Sequence, residues 1–153
     1  MSSTQHLVIY GAVITALSAA TALAGGNIKT MRDTDRPMAE DVNAQIRVCL
    51  DQSLPAPLVG GSAPVDWQTR IRVECLARDV LGATPVKALD ASTVLAANVQ
   101  KRILEDSALQ ALISEVLPCV MQWAEDEADT SLIVCKCLFT LTHRTPFSNL
   151  ITT

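Results

Sequence analysis

The side chains that could bind a metal or attack a substrate are few in this sequence. Its five cysteines are Cys49, Cys75, Cys119, Cys135 and Cys137. None of them forms a C-x-x-C pair and only two histidines accompany them, whereas a zinc site needs such ligands in close pairs. The odd number of cysteines also argues against a disulfide framework. The apolar runs around them predict small buried thiols in a reducing cytosol, with no metal and no cofactor.

No arrangement typical of a catalytic site is present either. The sequence lacks the G-x-S-x-G, H-E-x-x-H, P-loop and G-x-G-x-x-G motifs. Gly60-Gly61 lies in a proline-rich stretch rather than between a strand and a helix, so it predicts no phosphate site. We expect His143, beside Arg144, to be an exposed polar residue at the end of a strand. The sequence therefore predicts a protein that is not an enzyme.

Composition narrows the class of partner. The chain is 49% hydrophobic and 18% charged, against about 25% charged residues in a typical soluble domain. Its net charge is −4 and only 3% of its residues are aromatic, which argues against direct recognition of nucleic acid. The apolar surplus indicates a generous core or a surface that another copy or a partner covers.

An uncharged run over residues 7–24 has two interpretations. It is just long enough to span a bilayer, and Ala22-Leu23-Ala24 resembles a signal-peptide cleavage site. However, no Lys or Arg precedes it, as a signal would require. We favour a first helix of the domain, capped by Thr4, with Leu7, Ile14 and Leu17 along one stripe and Gly25-Gly26 at its end. An exported or membrane-anchored small domain stays open as the alternative.

Hydrophobic periodicity predicts one α+β domain over residues 1–145. Its elements follow the order α-β-β-α-α-β-β, which gives a roughly four-stranded, mainly antiparallel sheet with helices packed on one face. After the first helix, the predicted strands and helices cover 44–50, 66–78, 90–105, 106–113, 119–123 and 131–143. Asp90 is the expected N-cap of the first of these helices and Asp106-Ser107 caps the second. A polar connector (27–43), a long loop (51–66) and a flexible C-terminal tail (146–153) complete the prediction.

The last predicted strand is apolar on both faces. Cys135, Cys137 and Phe139 point one way, while Leu132, Val134 and Leu138 point the other way. A strand of this kind must be covered on both sides, and the few helices cannot cover both. We therefore expect a neighbouring subunit to supply the second cover.

Three local pieces in a particular order carry a family resemblance. The first is Asp33-x-Asp35-Arg36-Pro37 with Glu40-Asp41, and the second is Asp66-Trp67-Gln68 at the start of a strand. The third is a terminal strand that follows an acidic turn after a pair of helices. Over residues 28–143 this order resembles the tail terminator proteins of long-tailed, lambda-like bacteriophages.

The resemblance implies a structural virion protein that assembles in the host cytoplasm and resides at the tail–neck junction. It implies a homo-oligomer, a hexameric ring, that caps the tail tube, ends tube polymerisation and takes part in head–tail joining. The implied partners are the tail tube protein and the head–neck connector protein, with neither nucleic acid nor membrane recognised directly.

The predicted interface combines charged residues of the connector, the second strand and the acidic turn with apolar residues of the last strand. Its members are Asp33, Asp35, Arg36, Glu40, Asp41, Trp67, Arg70, Arg72, Glu125, Asp126, Glu127, Leu132, Val134 and Leu138. The first three are candidates for ion pairs between subunits, with a solvated charge run as the alternative. Trp67 is either an interface anchor or a lid on the core, and we favour the core.

Overall fold

A mixed six-stranded sheet with three helices forms the frame of the molecule. The structure, a computed structural model, describes residues 3–19, 21–31, 37–56, 64–145 and 151–152. The strands are β1 (Ser3–Thr4), β2 (Ile28–Thr30), β3 (Ala44–Pro55), β4 (Val65–Arg78), β5 (Glu115–Val116), β6 (Val120–Glu125), β7 (Leu132–Thr145) and β8 (Ile151–Thr152). The helices are α1 (Gln5–Ser18), α2 (Ala88–Glu105) and α3 (Ser107–Leu112), and a 3-10 turn occupies Leu23–Gly26.

The strands of the main sheet follow the spatial order β2-β3-β4-β7, and β5 and β6 both pair with the outer edge of β7. Among the strand pairs of the described residues, only β2 and β3 run parallel. The prediction of a single α+β domain is thus confirmed at this level, and each of the four predicted strands is present. The predicted strand number is wrong because β2 and β5 are only three and two residues long. Segments this short show no alternation of apolar residues for a sequence pattern to reveal.

The hairpin between β3 and β4 is longer than predicted. β3 continues to Pro55, which pairs with Trp67, and β4 begins at Val65, so both ends of the loop predicted over 51–66 belong to strands. A register shift between Leu50 and Gln52 leaves Asp51 as an extra residue in β3. Within the predicted tail, residues 151–152 pair with residues 3–4. Residues 57–63, 146–150 and 153 lie outside the described part.

The core lies between one face of the sheet and the helices α1 and α2. It contains Ile9 and Val13 of α1, Val99 of α2, and alternate residues of β3, β4 and β7 such as Val73 and Phe139. Cys135 and Cys137 share this face, as predicted. The helices therefore cover one side of the sheet, which we call the helix face. The opposite side is the open face.

The first helix agrees with its predicted start but not with its predicted stripe. Thr4 caps α1, because its hydroxyl accepts a hydrogen bond from the Leu7 amide at 3.4 Å. Of the predicted stripe, Leu17 is buried and Ile14 packs against the core, but Leu7 is 50% exposed, and the stripe that faces the core runs through Ile9, Val13, Ala16 and Leu17 instead. The helix also ends at Ser18 rather than at the glycine pair.

None of the helices in the described residues combines the length and the apolar character needed to cross a bilayer.

A distant carboxylate caps α2. The helix begins at Ala88, whose amide donates a 2.8 Å hydrogen bond to Asp79, so the prediction that Asp90 is the N-cap is wrong. Asp90 instead lies in the first turn, where a carboxylate favours the helix dipole. For α3 the prediction is confirmed, since Asp106 accepts the Leu109 amide at 2.7 Å.

Candidate subunit interface

The centre of the open face is a network of ion pairs. Arg47 of β3 contacts Asp126 at 3.2 Å and Glu74 of β4 at 3.9 Å. Arg72 of β4 contacts the same Glu74 at 3.0 Å and Asp51 at 3.0 Å. The Arg47 side chain is only 9% exposed, so its pairs are much less screened than pairs at the surface. The network therefore joins β3, β4 and the β6–β7 turn and leaves a polar surface in the middle of this face.

The apolar residues at one end of the open face are covered within the chain. Leu132 and Val134 are buried together with Leu76, because Met38 of the connector packs on them with Val42 beside it. The expectation that a second copy must cover these two β7 residues is therefore wrong. The connector was predicted to be an exposed polar segment, and its few apolar side chains supply this cover.

Leu138 differs from these two residues. It is half-buried and pairs with Val120 of β6, which is 54% exposed. The two side chains form a small apolar surface beside the ion-pair network. Among the described residues of the open face, this pair is the part that best fits the predicted apolar contact.

The other residues of the predicted interface are dispersed over the molecule. Arg70 lies half-buried on the open face, while Glu40 and Asp41 of the connector and Glu125 and Glu127 near the β6–β7 turn are exposed. Trp67 lies on the helix face, half-buried, and donates a 2.9 Å hydrogen bond to Thr145. Asp33, Asp35 and Arg36 lie outside the described residues. The structure thus does not bring all the predicted residues to one surface.

A buried cluster that the sequence reasoning missed joins both histidines of the chain. His143 of β7 is 1% exposed, so the prediction of an exposed strand end is wrong. Its Nε2 lies 2.7 Å from the Thr69 hydroxyl of β4, and the Ser53 hydroxyl of β3 lies 2.9 Å from Nδ1 of His6. The two imidazole rings are 5.0 Å apart, nearly edge to face. The sequence could have indicated this burial, because His143 is four residues after Phe139 in β7 and therefore points to the same side, the helix face.

The geometry of this histidine cluster favours a structural role. Burial lowers the pKa of His143 to about 4, with a smaller contribution from the charge of His6, so its ring is neutral at pH 7. The pKa of His6 is also lowered by burial. The carboxylate of Asp66 points to the other face of the sheet and is engaged by Arg144 at 2.7 Å, which lowers the pKa of that carboxyl. Among the described residues, the contacts of the cluster thus include no carboxylate that could orient a Ser–His pair. They connect α1 to β3, β4 and β7.

Metal binding has no obvious site in the described part of the chain. No group of three or more His, Cys, Asp or Glu side chains is placed there to hold an ion. Burial raises the pKa of Cys49 and Cys135, and contact with the Cys137 thiol, together with burial, raises the pKa of Cys119. These thiols are therefore protonated at neutral pH and poor nucleophiles.

Two exposed surfaces lie on opposite flanks of α2. The first, which we call the acidic edge, consists of β5, β6 and the turn after β6, with Glu115, Trp123, Glu125 and Glu127 exposed. Residues 104–135 include seven acidic residues and no Lys or Arg.

The second surface is an apolar groove of about 350 Å³ between α2 and the start of β3. It is formed by Ala44, Val86, Ala91, Val94 and Leu95, with Asp90 and Asn98 at its rim. Lys87 and Lys101, both exposed, flank this groove along α2.

Comparison with models of protein families found none that matches the chain, and comparison with curated proteins found no match either.

Proposed function

We propose that the chain is a non-enzymatic, ring-forming subunit that caps the tail tube of a long-tailed bacteriophage. In this role it ends tube polymerisation and joins the tail to the head–neck connector. The order of the three sequence pieces over residues 28–143 supports the family. The observation that carries the assembly is the presence of two unlike, partly apolar surfaces on opposite flanks of one subunit.

Unlike surfaces on opposite flanks favour a head-to-tail contact. Such a contact generates a ring when the rotation between neighbours closes, and a filament when it does not. In the described residues, ten large hydrophobic side chains are more than 40% exposed, among them Val86, Val94 and Trp123. Val86 and Val94 lie together in the groove and Trp123 lies on the acidic edge, so each flank offers apolar surface for another copy to cover.

The open face is the surface that we assign to the tube or the connector. Its centre is charged and held in place by Arg47 and Arg72, while Leu138 and Val120 add a small apolar part. A polar surface with fixed charges selects its partner and the register of docking more than it adds raw affinity. We therefore expect binding through this face to weaken as salt concentration rises.

Negative-stain electron microscopy of the purified protein with and without tail tubes tests this function. We expect rings, or tube ends capped by rings, and overlong tubes in particles that lack the protein. The tube protein incubated alone is the control for spontaneous capping. Tubes of normal length in the absence of the protein would contradict the proposal.

A neck or tail-completion protein of similar fold is separated from a terminator by where it binds. A terminator binds the ends of bare tubes, whereas a neck protein requires the connector. Labelled protein added to bare tubes and to isolated connectors distinguishes the two roles.

The alternative function is that of an exported or membrane-anchored domain, in which residues 7–24 serve as a signal or an anchor rather than as part of the folded domain. In the structure α1 contributes Ile9, Val13 and Leu17 to the core. Intact mass spectrometry of the protein from phage-producing cells separates the two functions. An intact first helix in the assembled particle supports the ring subunit, and loss of residues up to Ala24 supports export.

A further inference from the structure

Trp123 has the position and the exposure of an interface anchor. It lies on the helix face of β6, the strand at the sheet's edge, and is 48% exposed. Its indole N–H donates a 3.0 Å hydrogen bond to the hydroxyl of Thr93 on α2, which sets the orientation of the ring. Tryptophan is enriched among the residues that dominate binding energy, and an oriented ring loses little entropy when it is covered.

The groove on the other flank can receive such a ring. Ala44 and Ala91 are small and leave a concave surface, while Val86 and Val94 form its sides and are 41% and 60% exposed. Its volume of about 350 Å³ lies at the lower end of the range for small-ligand pockets, about 300–1,000 Å³. The groove is therefore of a size to hold the exposed part of an indole.

The two surfaces point in different directions around α2. An α-helix advances about 100° per residue, so Ala91 and Asn98 lie roughly half a turn away from Thr93 around the axis of α2. Thr93 contacts Trp123, whereas Ala91 and Asn98 line the groove. A single subunit therefore cannot place its own Trp123 in its own groove, but adjacent copies can do so head to tail.

Charge distinguishes this arrangement from a two-fold dimer. Glu125 and Glu127 near Trp123 are exposed, and so are Lys87 and Lys101 beside the groove. Among the ion pairs of the described residues, none involves any of these four side chains. The groove lining also carries one carboxylate, Asp90, so Lys87, Lys101 and Asp90 together leave this flank with a net charge of +1. Contact of the acidic edge with the groove flank still brings a net negative surface against a net positive one. A two-fold contact of either flank with itself brings like charges together, which disfavours it.

We propose that Trp123 of one copy inserts into the Ala44–Val94 groove of the next copy, and that this contact builds the ring. The inference rests on the proposed function and names the partner of the two flanks, a second copy of this chain. The tail tube protein is the competing occupant of the groove, and the experiment below separates the two.

Two single variants test the contact from its two sides. Trp123→Ala removes the anchor and leaves the groove, whereas Val94→Lys places a charge in the groove and leaves the anchor. Both positions are about half exposed, so both variants should fold, which circular dichroism and thermal unfolding verify. We expect each to raise the apparent dissociation constant of assembly by about 30-fold or more in sedimentation velocity, as for an interface hot spot.

A mixture of the two variants gives the sharpest result. The intact Trp123 of the Val94→Lys chain can enter the intact groove of the Trp123→Ala chain, but each pair then has no further competent surface. We expect heterodimers and no rings in the mixture, and monomers of each variant alone. Leu81→Lys is the matched control, because Leu81 is 86% exposed and belongs to neither surface, and it should assemble like the wild type.

The outcomes separate the contact from the function. Where tubes are needed to assemble the ring, the same variants are scored as rings on tube ends. Wild-type rings together with normal rings of either variant overturn the contact and leave the proposed function standing. Variant rings that form but no longer cap tubes show that the groove binds the tube protein, which also overturns the contact. A wild type that neither forms rings nor caps tubes overturns both.

Discussion

Mild acid should destabilise this protein through His143. In the folded state its pKa is lowered to about 4, while the unfolded chain has the ordinary value of about 6.5. Between these values the unfolded state binds a proton that the folded state does not, so stability is full above pH 6.5 and falls as the pH decreases. At about 1.36 kcal/mol per pH unit, the loss is about 2 kcal/mol at pH 5 and about 3 kcal/mol at pH 4. This is a large part of the 5–15 kcal/mol typical of a domain.

Urea denaturation at pH 7 and pH 5 measures this loss. The interval ends above the pH at which most carboxyl groups take up protons, and His6, whose pKa is also lowered, adds to the effect in the same direction. His143→Gln keeps an amide nitrogen near the position of the imidazole Nε2 but cannot titrate. Its free energy of unfolding should therefore fall by about 2 kcal/mol less than that of the wild type over the same interval. A wild-type stability equal at the two pH values, or an equal fall in both proteins, would refute this account of the buried histidine.

Other substitutions test individual contacts by urea denaturation at pH 7. Arg47→Met leaves the poorly solvated Asp126 carboxylate without its ion pair, while Glu74 keeps Arg72, so it should cost about 3 kcal/mol, and a loss below 1 kcal/mol would contradict the network. Asp79→Ala removes the cap of α2 and should lower the free energy of unfolding by about 1 kcal/mol, whereas Asp90→Ala should lower it clearly less. A larger loss for Asp90→Ala than for Asp79→Ala would show that Asp90 is the cap. Tyr10→Phe removes a hydroxyl that donates a hydrogen bond to the Val48 carbonyl at 2.7 Å and accepts one from the Met31 amide at 3.0 Å. We expect the free energy of unfolding to fall by about 1–2 kcal/mol. An unchanged urea midpoint would contradict this.

Local periodicity was sufficient for the main elements. Alternation along residues 44–50 and 66–78, and the apolar run over 131–143, identified the three long strands. Strand parity also placed Leu138 and Phe139 on opposite faces. These properties depend on neighbours a few residues apart, which the order of residues specifies directly.

Contacts between distant segments decided the rest. The extra residue Asp51 in β3 turns Ser53 toward the helix face, where it meets Thr69 and His6. The connector covers Leu132 and Val134, which removes the original reason to require a second copy there. The buried polar clusters join residues far apart in the sequence: Thr69 and His143 are 74 positions apart, and Arg47 and Asp126 are 79. No local pattern encodes such pairings, because they form only when the packed sheet brings the segments together and buried polar groups must find partners.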